Sequence, residues 1–273
     1  MTVARTISRS ASAVIEQLEL DGDLLVTTGR ISDVMRLVGL HGDEAKARRV
    51  AYELQRDGWL GQLHTRNAWE FLPGARGGAF GSGDRFIEFR AQRAANPNWP
   101  GVLAMESAAS VLGLAQRIPE REVVAIGGGH AMPKSLVGEW RSVGVEISEL
   151  GLTTVNDLPT WNREGLIVGI ASRPSGYKDV AGLGQWLSEI AGRLVVDIVI
   201  ELLTEERPTT RQRAAYLLGA AGDVEARATI MRTYPAKETA RLGPRIAGAS
   251  VFDRATQVND TLLHPYLSVG IGS

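Results

Sequence analysis

The chain has 273 residues, 44% hydrophobic and 22% charged, a length that predicts two globular domains. Its 30 Lys and Arg are balanced by 31 Asp and Glu, so any nucleic-acid contact must come from local segregation of charge and not from bulk basicity. Cysteine is absent, which removes disulfides, thiolate catalysis and cysteine-based zinc sites together. Arg5 and Arg9 are followed by no uninterrupted apolar segment, and the most apolar run, Leu194 to Leu203, contains Asp197 and Glu201. Neither a secretory signal nor a bilayer span is expected, and a soluble cytoplasmic protein is.

Val14, Ile15 and Leu18 form the apolar stripe of a first helix that Gly22 closes. Thr27 and Thr28 offer hydroxyl caps for a second, in which Ile31, Val34, Met35 and Val38 fall at i, i+3, i+4 and i+7 and Gly39 is the stop. Asp43 is the natural N-cap of a third helix. Its Ala47, Val50, Ala51 and Leu54 share one face, while Arg49, Tyr52 and Arg56 point the other way and Lys46 and Arg48 lie on the flanks. Trp59–Leu63 and Ala68–Leu72 then read as two strands, with His64-Thr65-Arg66-Asn67 as the wing between them.

That order is the layout of a winged helix-turn-helix, whose third helix lies in the DNA major groove. Lys46, Arg48, Arg49 and Tyr52 sit where such a helix meets the groove, and Arg30 and Arg66 are candidates for holding the phosphate backbone. A solvated face of an unrelated three-helix cap stays open, because Glu44, Glu53 and Asp57 offset much of the charge.

Residues 75–83, rich in glycine, form the clearest composition break and read as a flexible connector. Beyond them helices and strands alternate. Helices are expected at Asp84–Ala95, Leu103–Leu112, Asp179–Leu203, Arg211–Gly219 and Asp223–Thr233. Strands are expected at Val123–Ile126, Val143–Ile147, Leu166–Ile170 and, within a polar tail, Tyr266–Ile271. The expected fold is mixed α/β (α+β): a winged helix-turn-helix over 1–74, the connector, and a larger α/β domain over 84–273.

No motif supports catalysis. Gly127 to Ser135 follows a strand, but Pro133 stands where a Walker loop needs glycine and Met132 where a dinucleotide fingerprint needs its third glycine. His41, His64, His130 and His264 show no metal-ligand spacing. Ser107, Ser110 and Ser135 lack the Gly-x-Ser-x-Gly elbow, and Glu201, Glu205 and Glu206 read as a solvated helix end. Trp99, Trp140, Trp161 and Trp186 read as core or interface anchors. Neither a cofactor nor a metal is expected.

Ser107-Ala108-Ala109-Ser110-Val111-Leu112-Gly113-Leu114 and Arg213-Ala214-Ala215-Tyr216-Leu217-Leu218-Gly219, behind an N-terminal winged helix, resemble the AbiEi family of antitoxins from bacterial type IV toxin–antitoxin modules. Leu166–Ile170 followed by Ala171-Ser172-Arg173-Pro174 and the Asp179 helix fits the same layout. The resemblance spans Ser10 to Thr233; the Gly-rich connector and the tail after Pro235 depart from it. It implies a non-enzymatic protein that binds inverted repeats upstream of its own operon as monomer or dimer and represses it, with Lys46, Arg48, Arg49 and Tyr52 reading DNA. It also implies a second domain that counters a nucleotidyltransferase-like toxin without a stable complex. A transcription regulator whose second domain senses a small molecule, with the Gly127–Lys134 turn as the place to look, and an enzyme carrying a winged-helix module stay open as alternatives.

Overall fold

The computed structural model describes residues 8–73, 81–190, 192–245 and 250–267. Helix α1 (Arg9–Leu20) begins where the Ser8 hydroxyl accepts a hydrogen bond from the Ala11 amide and ends at Gly22, whose φ of +69° favours glycine. Strand β1 (Leu25–Thr27) follows, in a stretch for which no strand is predicted. Thr27 ends it and caps α2 (Thr28–Leu37), accepting from the Arg30 amide at 3.1 Å. Asp43 caps α3 (Glu44–Arg56) through the Lys46 amide at 2.7 Å. Between α2 and α3 the backbone passes so close that a Cβ on Gly42 would stand 2.8 Å from the Ser32 carbonyl oxygen and 3.1 Å from the Met35 Cβ.

Strands β2 (Leu60–Gln62) and β3 (Ala68–Phe71) form an antiparallel hairpin with Leu60 opposite Phe71, and β1 joins the far side of β3 in the order β1-β3-β2. The core beneath them holds Val14, Leu18, Ile31, Met35, Leu54, Trp69 and Phe71. Helix order, strand order and hairpin make this a winged helix-turn-helix.

The domain boundary differs from the expected one. Helix α4 (Ile87–Ala95) packs on β1 and β3, burying Phe89 and Ala91 completely. The first compact unit therefore runs to Trp99 and also takes in Pro133–Val137, where the Ser135 hydroxyl donates to the Gln92 side chain at 3.3 Å. Of the expected connector, residues 75–80 lie outside the described residues. Its described end is held by hydrogen bonds: the Ser82 amide donates to Glu70, and the Ser82 hydroxyl accepts from the Asp84 amide at 3.0 Å.

The second unit is built on a five-stranded mixed sheet of order β6-β5-β4-β8-β7. Its strands are β4 (Val102–Leu103), β5 (Glu122–Ala125), β6 (Trp140–Val143), β7 (Leu152–Val155) and β8 (Leu158–Trp161). Residues 152–161, for which no element is predicted, form a two-residue hairpin with Asn156 at φ +50° and Asp157 at φ +61°. Helix α5 (Met105–Val111) leaves β4 through a sharp turn in which Met105, wholly buried, takes φ +48°, a region costly for a residue with a Cβ.

The expected strand at Leu166–Ile170 is a helix, α6 (Arg163–Ser172), whose residues from Glu164 to Ala171 are all buried. A helix surrounded by protein has no polar face, so its apolar run carries no 3.6-residue period and reads like a central strand. Its glycines permit close approach: a Cβ on Gly169 would stand 2.3 Å from the Trp161 ring, and one on Gly165 2.2 Å from the Gly151 carbonyl oxygen. The single long helix expected at 179–203 is two, α7 (Val180–Ile190) and α8 (Val196–Leu202), with Gly192 at φ +73° between them. Helix α9 (Pro208–Ala220) carries proline in its first turn, where the missing N–H costs nothing, and packs against α6 and α10 (Val224–Thr233).

The tail is not without structure. Strands β9 (Ala240–Leu242), β10 (Val251–Asp253) and β11 (Val258–Asp260) form a small sheet of order β10-β11-β9. Asp260, fully buried, is satisfied by the Tyr216 hydroxyl at 2.7 Å and by the amides of Leu262, Leu263 and His264. The last expected strand is not found at its described end: Tyr266 closes a 3-10 turn, His264–Tyr266, and residues 268–271 lie outside the described residues.

Candidate nucleic-acid interface

Helix α3 buries Ala47, Ala51 and Leu54 against the first unit's core and leaves Lys46, Arg48, Arg49, Tyr52 and Arg56 exposed. Lys46 and Arg49 have no ion-pair partner among the described residues, so their charges face solvent uncompensated at short range. Arg48 pairs with Glu44 one turn back at 2.7 Å, on a surface where such a pair is worth little and yields readily to a phosphate. Arg56 is bonded to Asp57 at 3.0 Å, which raises its already high pKa.

The helix is fastened to the hairpin by two of its side chains, Gln55 and Tyr52. The Gln55 side chain accepts from the Trp69 indole N–H at 2.8 Å and donates to Gln62 at 3.1 Å. Tyr52 meets the edge of Trp69 with ring centroids 5.9 Å apart, while remaining 55% exposed. Tyr52, Gln55, His64 and Arg66 thereby share the rim of a concavity of about 320 Å³ between helix and wing. The exposed Arg66 at the wing tip has no ion-pair partner among the described residues.

Arg30 is placed differently from the others. Its guanidinium donates to Asp23 at 2.8 Å and to Asp21, and the Asp23 hydrogen bond, ahead of the Asp21 one, raises its pKa. Two of its guanidinium nitrogens tie the loop before β1 to α2, which sets it apart from the unpaired cations Lys46, Arg49 and Arg66. The Gln17 amide and Arg30 in turn hold the Asp21 carboxyl below the ordinary carboxylate range.

One residue at this surface carries no motif in the sequence. Glu88 of α4 is 7% exposed and places its carboxylate under the wing. One oxygen accepts from the His64 amide and lies 3.2 Å from His64 Nδ1; the other accepts from the Thr65 amide at 3.3 Å and the Thr65 hydroxyl at 3.1 Å. A charged acceptor meeting these donors fixes the wing's backbone beside α3. A glutamate on an otherwise apolar helix face is the only trace of this in the sequence.

No family model matches the chain. No curated protein matches it either. The crystal structure of the RV2827C protein from Mycobacterium tuberculosis is similar to it, with a TM-score of 0.79 and 25% identity over 97% of this chain and 95% of that one. The likeness thus takes in both units and places the fold among solved ones.

The remaining sequence candidates fall into structural roles or onto open surface. Ser107 is wholly buried, donating to Glu122 and accepting from the Val123 amide at 2.7 Å. Gly128 and Gly129, at φ +63° and +73°, make a turn after β5 with His130 exposed. Trp161 and Trp186 are core residues, and the Trp186 indole donates to the Tyr177 hydroxyl at 2.9 Å. Burial pushes the Tyr177 and Tyr216 phenols well above their ordinary pKa. Among the described residues no three His, Asp or Glu side chains gather as a metal site, and no helix is long and apolar enough to cross a membrane.

Proposed function

We propose that this chain is a DNA-binding antitoxin and autorepressor of a type IV toxin–antitoxin operon, acting in the cytoplasm without catalytic activity of its own. The observation that carries the DNA-binding half is the uncompensated pair Lys46 and Arg49 on the solvent face of α3, beside a wing that Glu88 holds in place. In this reading the cations first dock on phosphates. Arg48, Arg49 and Tyr52 then meet base edges, and Arg66 grips the backbone from the wing. Inverted-repeat operators require two reading heads, supplied by a dimer or by two monomers. The antitoxin half rests on the AbiEi resemblance and names a nucleotidyltransferase-like toxin as the functional partner, countered without a stable complex.

The test is a gel shift on the chain's own upstream DNA across a salt series. With Arg48 and Arg49 on base edges, Lys46 and Arg66 remain on phosphates and give a log–log slope of about −2 per head, at about −0.9 per phosphate on duplex DNA. Absence of sequence-selective binding at low salt would reduce the winged helix to a protein-interaction module. Neutralisation is read separately, by co-expression with the toxin encoded beside it.

A second reading, a winged-helix regulator with a ligand-sensing second unit, is favoured by one observation. That unit contains a cavity lined by Arg117, Arg121, Arg141 and Lys178. It would be distinguished by an operator affinity that changes when a small molecule is added.

A further inference from the structure

The second unit holds a cavity of about 580 Å³, and every residue lining it belongs to that unit. It lies away from the Gly127–Lys134 turn, which contributes no lining residue. Its charges are unequally occupied. Glu106, 4% exposed, sits at the turn after β4 with one carboxylate oxygen on the Arg141 guanidinium and the other accepting from the Lys178 and Asp179 amides. Arg141 also donates to the Gly176 carbonyl, so Glu106 and Arg141 neutralise each other as part of the wall.

Among the described residues Arg121, which spends one nitrogen on the Trp140 carbonyl, has no carboxylate partner, and the exposed Lys178 has no ion pair. Arg117, 82% exposed, lies 3.8 Å from Asp179, too far for a hydrogen bond. Three cationic heads therefore converge on one cavity with donors unspent. Beside them are Pro119 and Ile118, the latter a large apolar side chain left 71% exposed. Asp179 caps α7 through one oxygen, on the Gly182 amide, and keeps the other as an acceptor, as does the exposed Glu120.

We propose that this cavity binds a phosphate ester of nucleotide size. Arg117, Arg121 and Lys178 take the phosphate, the carboxylates of Asp179 and Glu120 accept from sugar hydroxyls, and Ile118 with Pro119 covers the planar base. Guanidinium forks match phosphate oxygens in pairs, and the volume falls in the range that encloses a ligand of this size. Bare inorganic phosphate would satisfy the cations alone and leave the carboxylates and the apolar rim without a task. The inference is independent of DNA reading, which belongs to the first unit.

The test is isothermal titration of the full-length chain with three probes: inorganic phosphate, ribose 5-phosphate and adenosine 5′-monophosphate. Saturable binding that strengthens along that series is expected, and at least tenfold weaker binding of adenosine 5′-monophosphate by an Arg117→Ala, Lys178→Ala double variant. Both side chains are exposed, so the fold should survive; if the double variant loses its circular dichroism signature, Lys178→Glu alone is to be titrated instead. No saturable binding of any probe at millimolar concentration, or an unchanged affinity in the folded variant, would overturn the proposal. Equal affinity for all three probes would overturn the assignment of an organic body. A gel shift on the same variant keeps the two questions apart, because operator binding by the first unit should be unaffected.

Discussion

Replacing Glu88 by glutamine tests whether the wing is a built feature of the reading head or a passive loop. The substitution keeps the side chain's shape and removes its charge. Glu88 accepts from the His64 and Thr65 amides and the Thr65 hydroxyl. A glutamine offers a single acceptor oxygen, and its NH2 must face donors on the other side. At about 1.5–3 kcal/mol for a hydrogen bond to a charged group, losing the single amide bond on the His64 side costs about 1.5–3 kcal/mol and losing the two bonds on the Thr65 side about 3–6 kcal/mol. The larger cost applies if the NH2 is turned toward Thr65, which is 5% exposed and cannot recover its bonds from water. For a unit of this size each kcal/mol moves the melting temperature by roughly 4–8 °C. The first unit should therefore melt at least about 6 °C earlier, the loss should track backbone amides 64 and 65 in hydrogen exchange, and operator affinity should fall with wing order. Unchanged melting and unchanged exchange at those two amides would refute the claim that Glu88 holds the wing.

The other predictions follow from the same geometry. Lys46→Ala with Arg49→Ala should weaken operator binding by about 1–3 kcal/mol per lost contact and flatten the salt slope by roughly one per phosphate, with thermal stability unchanged; a gel shift series reads both. Arg30→Ala should do the reverse, lowering the melting temperature while leaving operator affinity alone, since its donors are spent on Asp21 and Asp23. Gly42→Ala should cost about 1–3 kcal/mol in a denaturant titration, because the new methyl meets the Ser32 carbonyl oxygen and Met35. Tyr177 and Tyr216 have raised folded-state pKa values, so their contribution is complete below the unfolded value of 10.0 and declines as pH rises above it. A denaturant midpoint for the second unit that stays flat from pH 9 to 11 would contradict this.

The winged-helix fold was legible because each of its devices is local. Thr27 and Asp43 cap within three residues, Gly22 and Gly39 end helices through φ of +69° and +76°, and α3 has one wet and one dry face whose period survives in sequence. What escaped there depends on partners far along the chain. The role of Glu88 under a wing 23 and 24 residues earlier and the addition of β1 to β3 are invisible to any window of a dozen residues. The pairing of Arg30 with Asp21 and Asp23, 9 and 7 residues away, falls inside one and depends on how the chain turns between them. Arg30 is the instructive case: charge and position nominate it for phosphate, and the fold places two aspartates against its guanidinium.

The second unit resisted reading for a different reason, which also bears on what it does. Helix α6 is buried on every side and α9 nearly so, with Thr210, Gln212 and Ala214–Gly219 all buried. When two helices are enclosed, neither advertises a face, and of the segments that resemble the AbiEi family Ser107–Ala109 and Ala214–Gly219 are buried while Ser110–Leu114 reach solvent in part. Arg213 illustrates the point: its guanidinium donates to the Ala171 and Arg241 carbonyls, and burial lowers its pKa. The buried residues of those segments can mark a shared fold but cannot touch a toxin or a ligand. Specific action by this unit must come from residues that look unremarkable in sequence, such as Arg117, Ile118, Arg121 and Lys178, brought together by the turn at Met105 and the start of α7. Substitutions in the interior should therefore destroy stability and every activity together, whereas substitutions around the cavity should separate one activity from the fold.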